Sequence, residues 1–133
     1  MTAKLSITTR QHSQMVDITA EVQRVVSAGG ITDGTVVIFC PHTTAGLTIN
    51  EHADPDVAAD LLESLDRLAP WQAHYRHTEG NAAAHIKSAL LGHSLTVLVE
   101  GGRLALGTWQ GLLLCEFDGP RQRRVMVKVV PDP

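Results

Sequence analysis

The chain has 133 residues, of which 44% are hydrophobic, and its formal net charge at pH 7 is −3. These values are typical of one compact domain with a modest apolar core, so we expect a single domain over residues 1–133. No stretch approaches the ~18 consecutive apolar residues of a membrane-spanning helix, and a slightly acidic chain is a poor general binder of nucleic acid. The N-terminal residues lack the apolar stretch of a signal peptide, so a cytoplasmic location is expected.

Hydrophobic patterns in the first half of the chain predict strands and helices in mixed order. Apolar and polar residues alternate from Leu5 to Thr9, which is typical of a half-buried strand. Asp54 followed by Pro55 predicts the start of a helix, because aspartate caps a helix and proline suits its first position. The predicted elements of this half are strands over residues 5–9, 14–18, 35–39 and 47–49, a helix that Asp17 or Thr19 caps and that reaches Ala28, and a helix from Pro55 that ends before Pro70.

The second half combines one helix with several strands. Residues 71–80 are irregular and rich in histidine, and Asn81 is placed to cap a helix over residues 82–91. Short apolar and β-branched runs predict strands over residues 95–99, 103–106, 112–117 and 125–130, most of them in hairpins. Six to eight strands and three helices in this order indicate the α+β class, with a largely antiparallel sheet or sandwich.

The segment from Cys40 to Asp56 carries the greatest density of chemically useful side chains. Pro41 lacks a backbone N–H, so it ends the preceding strand and leaves His42 at a constrained corner. The next predicted strand is followed by Glu51 and His52. Functional groups collect at strand ends because a rigid scaffold fixes them while they stay accessible. We therefore expect the functional site to include this segment.

Seven histidines are more than a domain of this size usually carries. A catalytic zinc site needs about three neutral imidazole or carboxylate ligands and an open position. We expect His42, His77 and His85 to bind zinc or another divalent metal, because each lies at a strand end, in a loop or at a helix start. No local ligand motif such as HExxH is present, so ordinary surface or hydrogen-bonded histidines are the alternative interpretation.

Carboxylates near these histidines are candidate general bases. Glu79 is the strongest of them, because a Glu-Gly pair in a histidine-rich loop is hard to explain by packing. Glu51 and Asp54 are further candidates for a catalytic role or for orienting a histidine. Asp54 also has a purely structural interpretation as a helix cap.

Several groups are candidates for binding a substrate or its phosphate. Backbone amides that we expect to be exposed after Pro41, together with nearby cations, could hold an anion. Trp109 lies between two glycines outside any apolar stripe, which favours a site or an interface over core packing. The candidate phosphate-binding residues are Thr43, Thr44, Gly46, Lys87, Arg103 and Arg124.

The cysteines and one arginine cluster have structural interpretations. Cys40 and Cys115 lie in apolar runs 75 positions apart, so we expect two reduced, buried thiols and no disulfide. Burial raises a thiol pKa, which makes Cys40 a poor nucleophile. Arg121, Arg123 and Arg124 form a basic cluster at a strand start, which more often faces solvent or phosphate than DNA.

Five ordered blocks of sequence carry a family resemblance over nearly the whole chain. They are the runs over residues 42–51 and 53–57, the pair Glu79-Gly80, and the runs over residues 84–88 and 101–111. Together they resemble the YjbQ-like family, long catalogued as uncharacterised and also called secondary thiamine-phosphate synthase. The resemblance is specific because all five blocks occur in the same order.

The resemblance implies an α+β domain that assembles as a homotrimer, with a histidine-bearing pocket near subunit boundaries. It also implies a weak transferase activity that joins a pyrimidine-methyl diphosphate to a thiazole phosphate with loss of diphosphate. Lys87 and Arg103 are then the cations that we expect to stabilise the departing diphosphate. Carried over position by position, the implied site residues are His42, Glu51, Asp54, His77, Glu79, His85, Trp109 and Gln110.

Two features depart from the family pattern. The connection between Gly80 and Ala84 is only Asn-Ala-Ala, shorter than in many relatives, which predicts a different pocket rim. His52 stands where asparagine is common in relatives, so we leave it out of the expected metal set.

Three functions stay open from the sequence. The first is an enzyme acting on phosphorylated small molecules, and the second is a non-catalytic module that binds a metal or an anion. The third is nucleic-acid binding through the arginine cluster, which would show a steep salt dependence and which the overall charge disfavours. No membrane partner is expected.

Overall fold

Two antiparallel sheets and three helices make up the protein in a computed structural model that describes residues 2–133. The α+β class is therefore confirmed. The helices are α1 (Thr19–Gly29), α2 (Pro55–Leu68) and α3 (Ala82–Leu91). The strands are β1 (Thr2–Thr8), β2 (Gln14–Asp17), β3 (Gly34–Phe39), β4 (Ala45–Glu51), β5 (Ser94–Glu100), β6 (Arg103–Leu104), β7 (Gln110–Glu116) and β8 (Gln122–Pro131).

The strand order differs from a series of hairpins. The five-stranded sheet has the order β1-β8-β3-β5-β6, and the three-stranded sheet has the order β2-β7-β4. Only β5 and β6 are neighbours both in sequence and in a sheet. The expectation that hairpins dominate the second half is therefore wrong, because β7 and β8 join different sheets. Each instead pairs with strands from the first half of the chain.

Strand β7 lies at the centre of the structure and is buried on both of its faces. Leu112 and Leu114 face the main apolar core, which the five-stranded sheet and α1 complete. Leu113 and Cys115 face the opposite way, into a second core with α2 and α3. Because side chains alternate along a strand, one strand can supply both cores. The three-stranded sheet is thus a middle layer between the larger sheet and the helix pair.

Helix starts follow the local signals closely. Asp54 caps α2 as predicted, since its Oδ1 accepts the backbone N–H of Asp56 at 2.9 Å and Pro55 occupies the first position. Asn81 precedes α3 but makes no side-chain cap bond, because its amide bonds elsewhere. Asp17 supports the start of α1 by accepting the backbone N–H of Thr19 at 3.0 Å.

Strand boundaries were less predictable than helix boundaries. The predicted strand over residues 103–106 is shorter, because β6 ends at Leu104. The strand predicted from residue 112 begins earlier, at Gln110, where it pairs with Glu51 of β4. No helix within residues 2–133 is long and apolar enough to cross a membrane.

Gly34 marks the tightest approach between β3 and β8, and this contact generates a stability prediction. A Cβ atom at Gly34 would overlap the carbonyl oxygen of Val130 and lie 2.9 Å from the Cα of Pro131, both backbone atoms that cannot turn aside. We expect Gly34→Ala to lower the free energy of unfolding by about 2 kcal/mol. Urea denaturation measures this change.

Gly29→Ala is the matched control. A Cβ atom there meets only the side chain of Val129, at 3.8 Å or more. We expect the free energy of unfolding to stay the same or to rise by up to about 1 kcal/mol, because alanine is the better helix former. An equal loss of unfolding free energy in Gly34→Ala and Gly29→Ala would contradict the proposed backbone clash.

Candidate functional site

A cavity of about 380 Å³ opens where four segments meet. They are the end of β3, the start of β4, the beginning of α3 and the loop between β7 and β8. We call this space, together with the groove described below, the His42 site. The lining residues of the cavity are Pro41, His42, Thr43, Thr44, Glu79, Asn81, His85, Asp118, Arg121 and Arg123.

His42 is held by the backbone of β8. Its Nε2 accepts the backbone N–H of Arg124 at 2.9 Å, so the neutral ring carries its proton on Nδ1. Burial lowers the pKa of His42 from its ordinary value of 6.5, and the positive charge of Arg123 lowers it further. A neutral imidazole with a fixed tautomer is therefore available at neutral pH.

Asn81 links the histidine-rich loop to the far side of the cavity. Its Oδ1 lies 2.8 Å from Nε2 of His77, and its Nδ2 donates to Asp118 Oδ2 at 3.0 Å. The ring of His77 meets that of His85 edge to face, with 5.1 Å between their centroids. His77 Nε2 also lies 3.8 Å from a carboxylate oxygen of Glu79. Two imidazoles and a carboxylate are thus gathered at the start of α3.

A buried ion pair lies beside the cavity, which Arg123 lines. Glu116 and Arg123 are both buried, and the guanidinium bonds both carboxylate oxygens, with Nε to Oε1 at 2.8 Å. Arg123 also donates to Thr44 Oγ1 at 2.8 Å. Glu116 accepts the hydroxyl of Thr9 at 2.8 Å and the backbone N–H of Asp118 at 3.0 Å. The pair therefore fixes the segments that carry His42 and Asp118.

The electrostatics of this pair follow from its contacts. Burial raises the pKa of Glu116, but the hydrogen bonds from Arg123, Asp118 and Thr9 and the charge of Arg123 outweigh it. The net result is a pKa below the ordinary value of 4.5. Glu116 is therefore ionised at neutral pH and balances the charge of Arg123.

A second space, a groove of about 230 Å³, adjoins His42 on the outer face of the five-stranded sheet. Lys4 and Arg124 line it, and both side chains are exposed. Within the described residues, neither side chain makes a hydrogen bond or an ion pair. Arg121, by contrast, donates to Asp118, at 3.0 Å between NH2 and Oδ2. The unpaired cations next to His42 therefore lie in the groove rather than in the cavity.

The predicted metal set is only partly assembled. His77 and His85 lie together, but Nε2 of His42 is engaged by the backbone of Arg124. Across residues 2–133, no group of three or more His, Cys, Asp or Glu side chains is close enough to hold one metal ion. Of the three predicted ligands, only His77 and His85 therefore lie side by side.

Lys87 and Gly46 are corrected to structural roles. Lys87 is only 2% exposed, and its Nζ pairs with Asp66, which ties α3 to α2. It is therefore not free to bind phosphate. Gly46 lies within β4, where a Cβ atom would come within 2.9 Å of the carbonyl oxygen of Gly92. Its role is to let β4 approach the end of α3.

The carboxylates of Glu51 and Asp54, at the far end of β4, also lie outside the His42 site. Glu51 Oε2 accepts the backbone N–H of Asp54 at 3.1 Å, and Asp54 in turn caps α2. These bonds give acceptors to two backbone N–H groups at the start of α2, those of Asp54 and Asp56. Their predicted catalytic roles have no support from this position, because Glu51 ends β4 and Asp54 follows it, while His42 precedes the start of β4.

Three more predicted residues lie away from the cavity. Arg103 lines a different cleft, between α1 and β6. Trp109 is 63% exposed, and Gln110 bonds the backbone N–H of Gly107 at 2.8 Å. Thr43 and Thr44 do line the cavity, although Thr44 is buried and accepts from Arg123.

Asp118 and the Glu116 network were missed by sequence reasoning. Asp118 lies in an Asp-Gly-Pro turn, a signal that indicates a turn and gives no hint of a site. Cys40 and Cys115 are free and buried as predicted. Burial raises the pKa of Cys40, and it raises that of Cys115 to about 12, so neither thiol is a ready nucleophile.

Comparisons with known proteins cover nearly the whole chain. The family described as "UPF0047 protein YjbQ-like" matches residues 3–132. The UPF0047 protein YugU of Bacillus subtilis is 53% identical over 131 residues, which are 98% of this chain and 99% of that protein. The UPF0047 protein MJ1081 of Methanocaldococcus jannaschii is 46% identical over 132 residues, 99% of this chain and 96% of that protein.

Solved structures agree with the fold. A YjbQ/UPF0047 family protein from Clostridium acetobutylicum, 51% identical, superposes with a TM-score of 0.95 and covers 96% of this chain and 99% of its own. A protein of unknown function from Sulfolobus solfataricus is 31% identical and also reaches a TM-score of 0.95, covering 99% of this chain and 97% of its own.

The buried pair generates a prediction about pH and stability. Glu116→Gln leaves the charge of Arg123 buried without its partner, so we expect the free energy of unfolding at pH 7 to fall by about 3 kcal/mol. The pKa of Glu116 in the folded protein lies below its ordinary value of 4.5. Above pH 4.5 the wild type therefore keeps its higher free energy of unfolding relative to Glu116→Gln. The wild type loses this advantage as the pH falls through the lowered pKa that Glu116 has in the folded protein. Urea denaturation from pH 7 to acid measures the gap.

Glu63→Gln is the control for this experiment. Glu63 is exposed and pairs with Arg67 at 3.3 Å on the surface of α2. Such pairs contribute about 0.5 kcal/mol or less. A stability gap between wild type and Glu116→Gln that stays constant down to acid pH would contradict the assignment of Glu116 as an ionised, stabilising carboxylate.

Proposed function

The chain belongs to the YjbQ-like UPF0047 family, and we propose that it is an enzyme that acts on phosphorylated small molecules at the His42 site. One observation carries the proposal. His42 borders both a cavity with acid–base side chains and a groove with two unpaired cations. Acid–base groups and cations side by side are what the transfer or release of a phosphate-bearing group requires.

The reaction that the family resemblance suggests is thiamine-phosphate synthesis. In it, the bond between the pyrimidine-methyl carbon and a diphosphate oxygen breaks, and the electron pair leaves with the diphosphate. The lone pair of the thiazole nitrogen then forms the new carbon–nitrogen bond. Such a reaction develops negative charge on the diphosphate and positive charge on the carbon, so preorganised charges of opposite sign accelerate it.

The two halves of the His42 site fit these needs. We assign the diphosphate to the groove, where Lys4 and Arg124 supply positive charge. We assign the organic part to the cavity, where the carboxylate of Glu79 can face the positive carbon. His42, neutral with its proton on Nδ1, is a hydrogen-bond donor between them. His85 is the second imidazole available for proton transfer.

Zinc or another divalent metal stays a prediction of the sequence. Bound to a diphosphate, such an ion would neutralise its charge. Elemental analysis of purified protein and of a His85→Ala variant tests it. About one metal ion per chain, lost in the variant, is expected if the prediction holds.

We propose that the protein works in the cytoplasm, because free, buried thiols such as Cys40 and Cys115 suit a reducing compartment.

We also propose the homotrimer that the resemblance implies. Its support is an uncovered apolar stripe on the outer face of the five-stranded sheet. There Phe39, Leu98 and Val130 are 43%, 57% and 40% exposed. The groove lies on this same face, so the His42 site would lie at a subunit boundary.

The proposed activity predicts separate effects for the two halves of the site. Glu79→Gln removes the carboxylate charge at nearly constant shape, so we expect kcat to fall by about 100-fold. Arg124→Gln removes a cation from the groove, so we expect KM for the diphosphate substrate to rise by about tenfold. Steady-state kinetics with a pyrimidine-methyl diphosphate and a thiazole phosphate measures both.

Arg67→Gln is the control, because Arg67 is exposed on α2 and lines neither the groove nor the cavity. It should leave both constants unchanged. Full activity in Glu79→Gln would contradict the role of Glu79, and no turnover in the wild type would instead favour the non-catalytic anion-binding module. Equal effects of Arg124→Gln and Arg67→Gln on KM would exclude a specific groove.

The proposed trimer predicts that a charge on the sheet face disrupts assembly. Leu98→Glu would bury a carboxylate in the interface, so we expect a shift from trimer to monomer. Leu68→Glu is the control, because Leu68 is 73% exposed but lies at the end of α2, away from the sheet face. Size-exclusion chromatography with light scattering measures the masses. A monomeric wild type, or a trimeric Leu98→Glu variant, would contradict this interface.

A further inference from the structure

A second cleft, of about 550 Å³, lies at the opposite end of β4 from the His42 site. Thr44 precedes β4 in the first site and His52 follows β4 in the second, and a seven-residue strand spans about 20 Å. The two spaces share no lining residue. The lining residues of the second cleft are Asp17, Thr19, Ala20, Glu21, Gln23, His52, Arg103, Leu104 and Leu106.

An aspartate and a histidine form an ordered pair in this cleft. Asp17 Oδ2 lies 2.7 Å from Nδ1 of His52, and Asp17 Oδ1 accepts the hydroxyl of Thr19 at 2.6 Å. Burial raises the pKa of Asp17, but the bonds from Thr19 and His52 outweigh it and leave the pKa below 3.8. The ionised carboxylate holds the imidazole with Nδ1 as donor. Nε2 of the neutral ring is then an acceptor.

The backbone beneath His52 is shaped for its ring. A Cβ atom at Gly111 would overlap the imidazole and lie 2.6 Å from the Cβ of His52, so only glycine permits this packing. The backbone N–H of His52 also donates to the carbonyl of Trp109 at 3.1 Å. The ring is therefore positioned by the pairing of β4 with β7 and not by a flexible loop.

Hydrogen bonds also fix the opposite wall. Gln23 of α1 donates to the carbonyl of Gly102 at 3.1 Å and accepts the backbone N–H of Leu104 at 3.0 Å. These bonds tie α1 to β6, and Leu104 and Leu106 pack against the main core beside them. The cleft is thus preformed, with polar groups on one side and an aliphatic surface on the other. Preformed sites of this kind bind with a smaller ordering cost.

Two opposite charges in the cleft are incompletely satisfied. Arg103 is exposed, and its guanidinium makes no hydrogen bond or ion pair with any described residue. Glu21 Oε2 is the only buried side-chain oxygen or nitrogen within residues 2–133 that has no hydrogen-bond partner. The other oxygen, Oε1, lies 3.8 Å from the exposed Arg24. A carboxylate oxygen without a donor is left short of a hydrogen bond, so a ligand towards which the partly exposed Glu21 side chain turns, and which donates to this oxygen, gains affinity.

We propose that this cleft binds a small ω-amino carboxylate, a molecule with an amine at one end, a carboxylate at the other and an aliphatic chain between them. The ammonium group donates to Glu21 and to Nε2 of His52. The carboxylate pairs with Arg103, and the aliphatic chain packs on Leu104 and Leu106. Each end of the ligand therefore meets a side chain of opposite charge.

The experiment uses ligands that differ only in length and charge. The probes are 3-aminopropanoate, 4-aminobutanoate, 5-aminopentanoate and 6-aminohexanoate, with hexanoate and hexylamine as single-charge controls. NMR titration follows the His52 ring and the methyl groups of Leu104 and Leu106. We expect one amino carboxylate to bind with a Kd of about 1 mM or lower, and about tenfold more tightly than either control.

Variants assign the two ends of the ligand. Arg103→Gln and Glu21→Gln should each weaken binding by about tenfold or more. Arg67→Gln, which removes an exposed arginine on α2 outside the cleft, should leave it unchanged. Arg103→Gln should also bring the amino carboxylate to the affinity of hexylamine.

Three results would overturn the proposal. They are no saturable shift with any amino carboxylate at about 20 mM, equal binding of hexylamine or hexanoate, or unchanged binding in both cleft variants. None of these outcomes depends on turnover at the His42 site. Failure of this proposal is therefore distinguishable from failure of the proposed enzyme activity.

Discussion

The ion pair between Glu116 and Arg123 is the constraint on which the His42 site depends. It joins the end of β7 to the start of β8 and also holds Thr44 and Thr9 from the first half of the chain. An unpaired charge at either position would carry a large desolvation cost, so the pair and its partners are stable only together. The site is therefore positioned by electrostatics inside the protein, while the groups that would meet a substrate remain free at its surface.

The sequence predicted those features of the structure that contacts between residues close in sequence determine. Asp54 and Pro55 marked the start of α2, and the strand end before His42 and the histidine-rich loop identified two segments that the fold brings together. Contacts over long separations could not be predicted. Thr9 bonds Glu116 across 107 positions and Asn81 bonds Asp118 across 37, so no local pattern records them.

Charged residues gave the least reliable expectations. Lys87 and Arg103 both looked like phosphate-binding cations, yet Lys87 is neutralised by Asp66 in the packing of α2 on α3, and Arg103 lies in another cleft. A single sequence gives the charge of a side chain but not the partner that neutralises it. Arg124 was among the cations that the sequence suggested and Lys4 was not, because only the pairing of β1 with β8 places the two on one face.

The position of β8 has a consequence for how the protein folds. β8 lies between β1 and β3, so the ladder at the middle of the larger sheet is formed by the last strand of the eight to be synthesised. β1 and β3 have no other route to a shared sheet, and the strand edge that each offers to β8 stays unpaired until β8 is made. Because most strand pairs join distant segments, loop closure must precede most of the stabilising contacts. Folding is therefore expected to be slow and to follow synthesis of β8, a stage at which a chaperone would protect the exposed strand edges.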